Sequence, residues 1–290
     1  SHMILLTAAL YCEAQPFIQH YQLKKDMSFT RFQVFRNDDI LLLITGTGSM
    51  QAAIGTASVC SVLSPTEKDI FINIGVCGLK GYKARVGSVF LGNKIVDLAT
   101  GRCFYPDLIY SHPFMEGTIL TSPTILQKDA FVTGFEPIAK LTDHSGNYLI
   151  DMESAGFYQA ASCFYQVHQL FFIKVVSDFL DSSSLTAGTI TELVGKKVPQ
   201  ITEWMEGIIK EIGKRRTLFT DKEENYITWL SGQLYLSVSM EQQLRQILKY
   251  VKLQDGNFID RIELFLQNQK PCKSKKEGKK YLEQIRQLFI

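Results

Sequence analysis

The stretch from Tyr148 to Asp181, YLIDMESAGFYQAASCFYQVHQLFFIKVVSDFLD, changes its apolar periodicity twice and places an acid at each change. Tyr148 to Ile150 is a short apolar run that breaks into Asp151-Met152-Glu153-Ser154. Ala155 to Tyr165 then reads as a buried helix, and Leu170 to Val176 as a β-rich run ending in Ser177-Asp178. The crossover length suits a parallel βαβ unit, whose right-handed connection brings both strands to the same edge of the sheet. Glu153 and Asp178 are therefore expected at one edge, the carboxyl edge where open α/β sheets bind ligands. Two carboxylates converging on an apolar-walled cleft form an acid/base arrangement. The alternative stands beside it: acids after strands also cap helices, and Asp151 or Asp178 could serve only that purpose.

Ser1-His2-Met3 reads as a tag-cleavage remnant, so the natural chain is expected to start at Met3. A length of 290 residues suits one large domain or two smaller ones, and the net charge of +2 dictates no partner. No apolar run reaches membrane-spanning length and no cleavable signal precedes the first strand. A cytoplasmic protein without membrane contact is expected. The cysteines (Cys12, Cys60, Cys77, Cys103, Cys163 and Cys272) are scattered in apolar company, without the spacing of a zinc site. They read as buried free thiols, and no metal or cofactor is expected. Charge divides the chain: from Lys214 onward 15 Lys and Arg stand against 9 Asp and Glu, while 16 stand against 20 before it.

Along the chain, Met3 to Leu10 is a buried-strand run followed by Tyr11-Cys12-Glu13. Glu13 is either a first-turn helix acid favoured by the dipole or a site residue. Phe32 to Phe35 and Ile40 to Ile44 pair as a hairpin around Asn37-Asp38-Asp39. Thr45-Gly46-Thr47-Gly48 leads into an Ala-rich helix, Ala52 to about Leu63. Gln51 stands where a dinucleotide fingerprint needs its third glycine, so that reading is rejected in favour of a tight strand-to-helix turn. Asp69 to Ile74 is another buried strand, followed by Gly75, Gly78 and Gly81, which suit close backbone approach to a ligand or tight packing. Val86 to Val96 and Thr118 to Thr121 read as strands, Cys103 to Phe114 as a loop, Thr124 to Phe131 as irregular helix, and Thr189 to Ile212 as one helix. This alternation predicts an α/β three-layer domain over residues 3–213.

Residues 214–290 differ. Thr220-Asp221-Lys222-Glu223 opens a helix with a threonine cap, and further helices follow Ser239, Asn257 and Lys275. Leu244, Ile247, Leu248 and Val251 recur at helical spacing, which predicts a small, basic helical domain. Lys273, Lys275, Lys276, Lys279 and Lys280 form a solvated face or a surface for nucleic acid or an acidic protein.

Taken in order, Ala9 through Glu13, Thr45-Gly46-Thr47-Gly48, Ile72-Asn73-Ile74-Gly75 with Gly78, Asp151-Met152-Glu153-Ser154 and Val176-Ser177-Asp178 resemble the nucleoside phosphorylase and nucleosidase superfamily. The likeness is greatest to the 5′-methylthioadenosine/S-adenosylhomocysteine nucleosidases and covers residues 3–213. The resemblance implies a phosphorylase/hydrolase-like αβα domain with a mixed central sheet and a homodimer. It implies a hydrolase that cleaves the N-glycosidic bond of an adenine nucleoside. Glu153 would hold the ribose hydroxyls, Met152 would pack against the sugar, and Asp178, beside Ser177, would protonate or hydrogen-bond nitrogen 7 of the purine. Glu13 would activate the attacking water. Such cleavage builds positive charge on the sugar and negative charge on the base, which is why a general base and an acid are needed on opposite sides. Asp178 is therefore expected in the drier place with a raised pKa, and Glu13 ionised.

Two positions depart from the nucleosidase pattern: Val76 stands where a serine helps seat the water, and Lys174 where an arginine does. Phe131 matches the purine-stacking aromatic locally, but about one residue out of register, and reads equally as core. The related phosphorylases have an arginine at the position of Asn73 and an N-terminal phosphate loop that this chain lacks, which favours water over phosphate. A phosphorylase and a non-catalytic nucleoside-binding or partner-recruiting protein on the same fold remain the alternatives.

Overall fold

The computed structural model describes residues 2–81, 84–128, 146–181, 185–214, 218–254 and 256–289. Two compact units emerge, Ser1–Gly213 and Lys214–Ile290. In the first, β1 (Ile4–Ala8) is buried throughout because its residues serve two interiors. Ile4, Leu6 and Ala8 enter one core and Leu5 the other. The first core is covered by α1 (Tyr11–His20), α4 (Ala187–Gly195) and α5 (Val198–Lys214). The second is covered by α2 (Ser49–Cys60) and α3 (Ser154–Ala161). Helices thus lie on both faces of a mixed sheet.

The remaining strands are β2 (Lys24–Lys25), β3 (Gln33–Arg36), β4 (Ile40–Ile44), β5 (Ile70–Lys80), β6 (Val89–Asp97), β7 (Cys103–Phe104), β8 (Met115–Thr121), β9 (Tyr148–Asp151) and β10 (Leu170–Asp178). Their order is β10-β6-β8-β9-β5-β1-β4-β3-β2, and β10 also pairs with β5. Five strands therefore close into a ring, from which β1, β4, β3 and β2 continue as an open wing. The sheet is not simply open, as the alternation of strands and helices suggested. Closure needs strands that bend. The β10–β5 register shifts between Val176 and Asp178, and the β6–β8 register between Gly92 and Lys94.

Tyr148 to Asp181 does not form the parallel βαβ unit that its spacing predicts. β9 runs antiparallel to β5, whereas β10 runs parallel to it. Even so, the two strands meet: Ile150 of β9 and Asp178 of β10 both pair with Gly78 of β5. A β-carbon at Gly78 would meet the Leu180 side chain, so glycine leaves room for that side chain where the three segments converge.

Two local features set the helices. Gly46 and Gly48 have φ of 85° and 102°, left-handed values that let β4 turn directly into α2. Gly156 of α3 packs against the Ser49 backbone at the start of α2, closer than any β-carbon permits. The single helix expected over Thr189 to Ile212 is two, α4 and α5, broken at Lys196 and Lys197. Pro199 at the second position of α5 explains the break, because its ring cannot follow a preceding helical turn.

In the second unit, α6 (Asp221–Gln233), α7 (Val238–Gln254), α8 (Phe258–Gln267) and α9 (Lys275–Phe289) enclose their own core. It includes Phe219, Ile227, Leu244, Leu248, Phe258, Ile262 and Ile285. Thr220 and Glu223 cap α6 reciprocally: Glu223 N–H donates to Thr220 Oγ1 at 3.3 Å, and Thr220 N–H to Glu223 Oε2 at 2.7 Å. Gly278 brings α9 against the carbonyl of Leu234, where a methyl group would overlap it. Lys273, Lys275, Lys276, Lys279 and Lys280 are all exposed.

Candidate active site

Glu13 lies in the first turn of α1, where an acid favours the positive end of the helix. Its side chain does more than cap. Oε1 accepts from the Leu10 N–H at 3.0 Å, while Oε2 reaches across to β5 and accepts from the Val76 N–H at 2.8 Å. The carboxylate passes over Gly75, where an added β-carbon would lie 2.8 Å from Oε2. Glu13 is 4% exposed. Burial raises its pKa, and the Val76 amide, Lys174 and the Leu10 amide each offset part of that rise.

Beside it, Lys174 projects from β10 and is 2% exposed. Its Nζ donates to Asn73 Oδ1 at 2.7 Å and pairs with Asp151 Oδ2 at 3.0 Å. Burial alone would lower the pKa of this ammonium, but Asp151, Glu153 and Glu13 outweigh it, so the group stays charged. Asp151, at the end of β9, is held on both oxygens. Oδ1 accepts from Thr121 Oγ1 at 2.8 Å, and Oδ2 accepts from Ser154 N–H at 2.9 Å and from the Ser154 hydroxyl. Asn73 in turn donates to Thr7 Oγ1 at 3.0 Å. The network thus joins β1, β5, β8, β9, β10 and α3 through buried, partnered groups.

Glu153 opens α3 and accepts from the Met152 N–H through Oε2 at 3.0 Å. Its pKa is raised to about 7 by burial and by Asp151, with Lys174 opposing and Glu13 adding to the rise. Asp178 ends β10: Oδ2 accepts from Ser177 Oγ at 2.7 Å, and Oδ1 from the Leu180 N–H at 2.8 Å. Leu180 makes that bond with φ of 64°, a left-handed conformation that a leucine holds only where its surroundings impose it.

The structure brings Glu13, Glu153 and Lys174 into one electrostatic neighbourhood, with Val76 supplying its backbone amide. Met152 and Val76 are half-buried and Ser177 is buried against Cys77 O at 3.2 Å. Asp178 lies at the neighbouring end of β5, opposite Gly78. Phe131 falls outside the described residues. One expectation reverses: Glu13, not Asp178, occupies the drier place, because it is enclosed between α1 and β5 while Asp178 sits half-buried at a strand end. Sequence reasoning missed the anchoring of Lys174 by Asp151, the Thr121 and Ser154 hydroxyls that hold Asp151, and the role of Leu180. The Asp151-x-x-Ser154 spacing announces a cap, but nothing local links Asp151 to a lysine on a different strand.

A cleft of about 620 Å³ opens between the start of α1 and α4, lined by Leu10, Tyr11, Cys12, Gln15, Leu185 and Ile190 among others. It flanks the helix that carries Glu13 without being lined by Glu13, Glu153 or Asp178 themselves. Among the described residues, no group of three or more His, Cys, Asp and Glu side chains is arranged to hold a metal ion. No described helix is long and apolar enough to cross a membrane.

No protein-family model and no curated protein sequence matches the chain. Solved structures do. The 5′-methylthioadenosine/S-adenosylhomocysteine nucleosidase of Neisseria meningitidis, in complex with methylthio-immucillin-A, matches with a TM-score of 0.56 at 20% identity, over 70% of this chain and 99% of that one. The 5′-methylthioadenosine nucleosidase of Arabidopsis thaliana in apo form matches with 0.55 at 20%, over 74% and 97%. The S-adenosylhomocysteine nucleosidase of Streptococcus pyogenes, in complex with 5-methylthiotubericidin, matches with 0.56 at 16%, over 71% and 97%. The chain therefore has the fold of these nucleosidases.

Proposed function

We propose that the protein is a purine nucleosidase that hydrolyses the N-glycosidic bond of an adenine nucleoside such as 5′-methylthioadenosine or S-adenosylhomocysteine. The observation that carries this reading is the Glu13 carboxylate, fixed by two backbone amides and buried, in the electrostatic reach of Glu153 and Lys174. A general base held this way loses little entropy when it meets a water molecule, and a dry setting raises its basicity toward the working pH. In the proposed reaction Glu13 takes a proton from water as the sugar–base bond lengthens. Glu153 holds the ribose hydroxyls with Met152 against the sugar, and Asp178, steadied by Ser177 and the Leu180 amide, hydrogen-bonds the departing purine.

Water is favoured over phosphate by charge. Glu13, Asp151 and Glu153 surround a single ammonium, Lys174, whose donors already serve Asn73 and Asp151. A phosphate dianion entering that group meets a surplus of carboxylates and, among the described residues, no arginine that acts on them. The test is release of free adenine from methylthioadenosine or adenosylhomocysteine, with and without phosphate. Phosphate-dependent formation of a ribose 1-phosphate product instead identifies a phosphorylase, and binding without turnover identifies a nucleoside receptor.

The same reading includes a cytoplasmic homodimer. All six cysteines are free thiols, as suits a reducing compartment. Met50 and Ile54, one turn apart on α2, are 75% and 48% exposed and offer an apolar contact face. Light scattering on the purified chain tests the dimer.

A further inference from the structure

We propose that Asp151 is a positioning residue of this site: it anchors the Lys174 ammonium on the Asn73 side and so keeps it from closing on Glu13. The proposal rests on the reading of Glu13 as the base, and its test is independent of turnover.

Three observations carry it. First, Lys174 and Glu13 flank the same point. A β-carbon built on Gly75 would lie 2.8 Å from Glu13 Oε2 and 3.5 Å from Lys174 Nζ. Gly75 has no side chain to stand between them. Second, the lysine is the movable member. Glu13 has both oxygens tied to backbone amides, whereas the polar contacts of Lys174 among the described residues are made at the end of its four-carbon stem, to Asn73 Oδ1 and Asp151 Oδ2. Third, Asp151 is built as an anchor. Thr121 Oγ1 holds its Oδ1 and the Ser154 amide and hydroxyl hold its Oδ2, and its side chain and that of Lys174 are 2% and 3% exposed. A buried ammonium that loses its carboxylate is left uncompensated, which favours a shift toward another acid within reach. The acids that act on Lys174 besides Asp151 are Glu153 and, more weakly, Glu13, and of these Glu13 is the one that shares the Gly75 flank with the ammonium. An ammonium closed on Glu13 would hold that carboxylate in its ionised form and make it a poorer base. A cap for α3 alone would need the Ser154 contacts and no contact to Lys174.

The test is a carboxyl-carbon NMR titration of Glu13 in the full-length protein, with Glu13→Gln used for assignment. It compares Asp151→Asn on two backgrounds, native Lys174 and Lys174→Met. Removing the Asp151 charge lowers the Glu13 midpoint slightly on both backgrounds, through space. If the anchor is real, the fall is at least one pH unit larger with Lys174 present, a tenfold change in proton affinity. Equal shifts on the two backgrounds overturn the proposal.

Should Asp151→Asn fail to fold, Thr121→Val loosens Asp151 while keeping its charge, and also releases the Ala155 N–H that Thr121 Oγ1 accepts at 3.1 Å. A downward Glu13 shift that needs Lys174 supports the anchor, and no shift, or the same shift without Lys174, overturns it. Where the native protein turns over nucleosides, Asp151→Asn is expected to lower kcat, and because Asp151 also raises the Glu153 pKa, KM is expected to change with the ionisation of Glu153. Absence of turnover in the native protein sinks the hydrolase reading instead, and the titration still decides the anchor.

Discussion

Glu13 Oε2 accepts its hydrogen bond from the backbone nitrogen of Val76, at 2.8 Å, and not from a side chain at that position. The departure from serine at residue 76 therefore leaves the carboxylate in place and removes only a hydroxyl next to it. Val76→Ser is expected to retain the Glu13 geometry and to raise kcat several-fold, by adding a donor where a water would be held. Stopped or continuous assay of adenine release checks it, and a loss of activity with unchanged folding would count against the site as drawn.

Glu13→Gln is the sharper substitution. The amide can accept from only one of the Leu10 and Val76 nitrogens, and its own NH₂ group faces the other donor. The expected outcome is a fall in kcat of about 10²–10⁴, the usual worth of a general base. A stability loss of about 1–3 kcal/mol accompanies it, for the amide left without a partner. Kinetics and urea unfolding of the same sample separate the two.

Glu153 titrates near neutrality, with its pKa raised to about 7 by burial and by Asp151. Between the ordinary carboxylate range and pH 7 the native state holds a proton that the unfolded chain has lost. The stability this contributes is present at low pH and disappears as pH rises through about 7. Raised Glu13 acts in the same direction. Unfolding free energy is therefore expected to fall between pH 5 and pH 8, and Glu153→Gln to flatten that slope. If ionised Glu153 holds the ribose hydroxyls, kcat/KM rises through the same window, and the Gln variant loses that rise along with most of its affinity.

Asp178→Asn keeps an acceptor for the Leu180 amide but cannot donate a proton to a purine nitrogen from an acid. A drop in kcat of about 10²-fold or more is expected, largest for substrates with the poorest leaving groups. Nucleosides with an activated leaving group recover most of the rate. An equal loss for all of them would remove Asp178 from the leaving-group side.

Gly156→Ala tests the packing that aims α3. A methyl group there overlaps the Ser49 carbonyl, and both partners are backbone. The expected loss is about 3 kcal/mol, at the upper end of overpacking penalties, or failure to fold. Chemical denaturation with circular dichroism measures it.

The fold was legible in the sequence where burial forces a pattern. Met3 to Leu10 and Asp69 to Ile74 read as strands because both faces are covered, although the second continues through its glycines to Lys80, and α6 announced itself through Thr220 and Glu223. The closed ring was not legible, because closure depends on the β10–β5 pairing and on register shifts that leave no mark in apolar periodicity. The direction of β9 was misread for a related reason: a strand of four residues, Tyr148–Asp151, looks the same either way along a neighbour. Glu13, Glu153 and Asp178 were visible as acids after apolar runs. Their relative dryness was not, since Glu13 is enclosed by Val76 and Gly75, some sixty residues further on. The Asp151–Lys174 pair lay hidden for the same cause, each residue having an ordinary local explanation.

Gly78 is the one residue of β5 that meets both β9 and β10 at their ends. Inserting or deleting a residue upstream of it in that strand would carry Ile150 and Asp178 off together, and with them the start of α3. Gradual drift is thus closed to this strand: a length change in β5 discards the whole constellation in a single step.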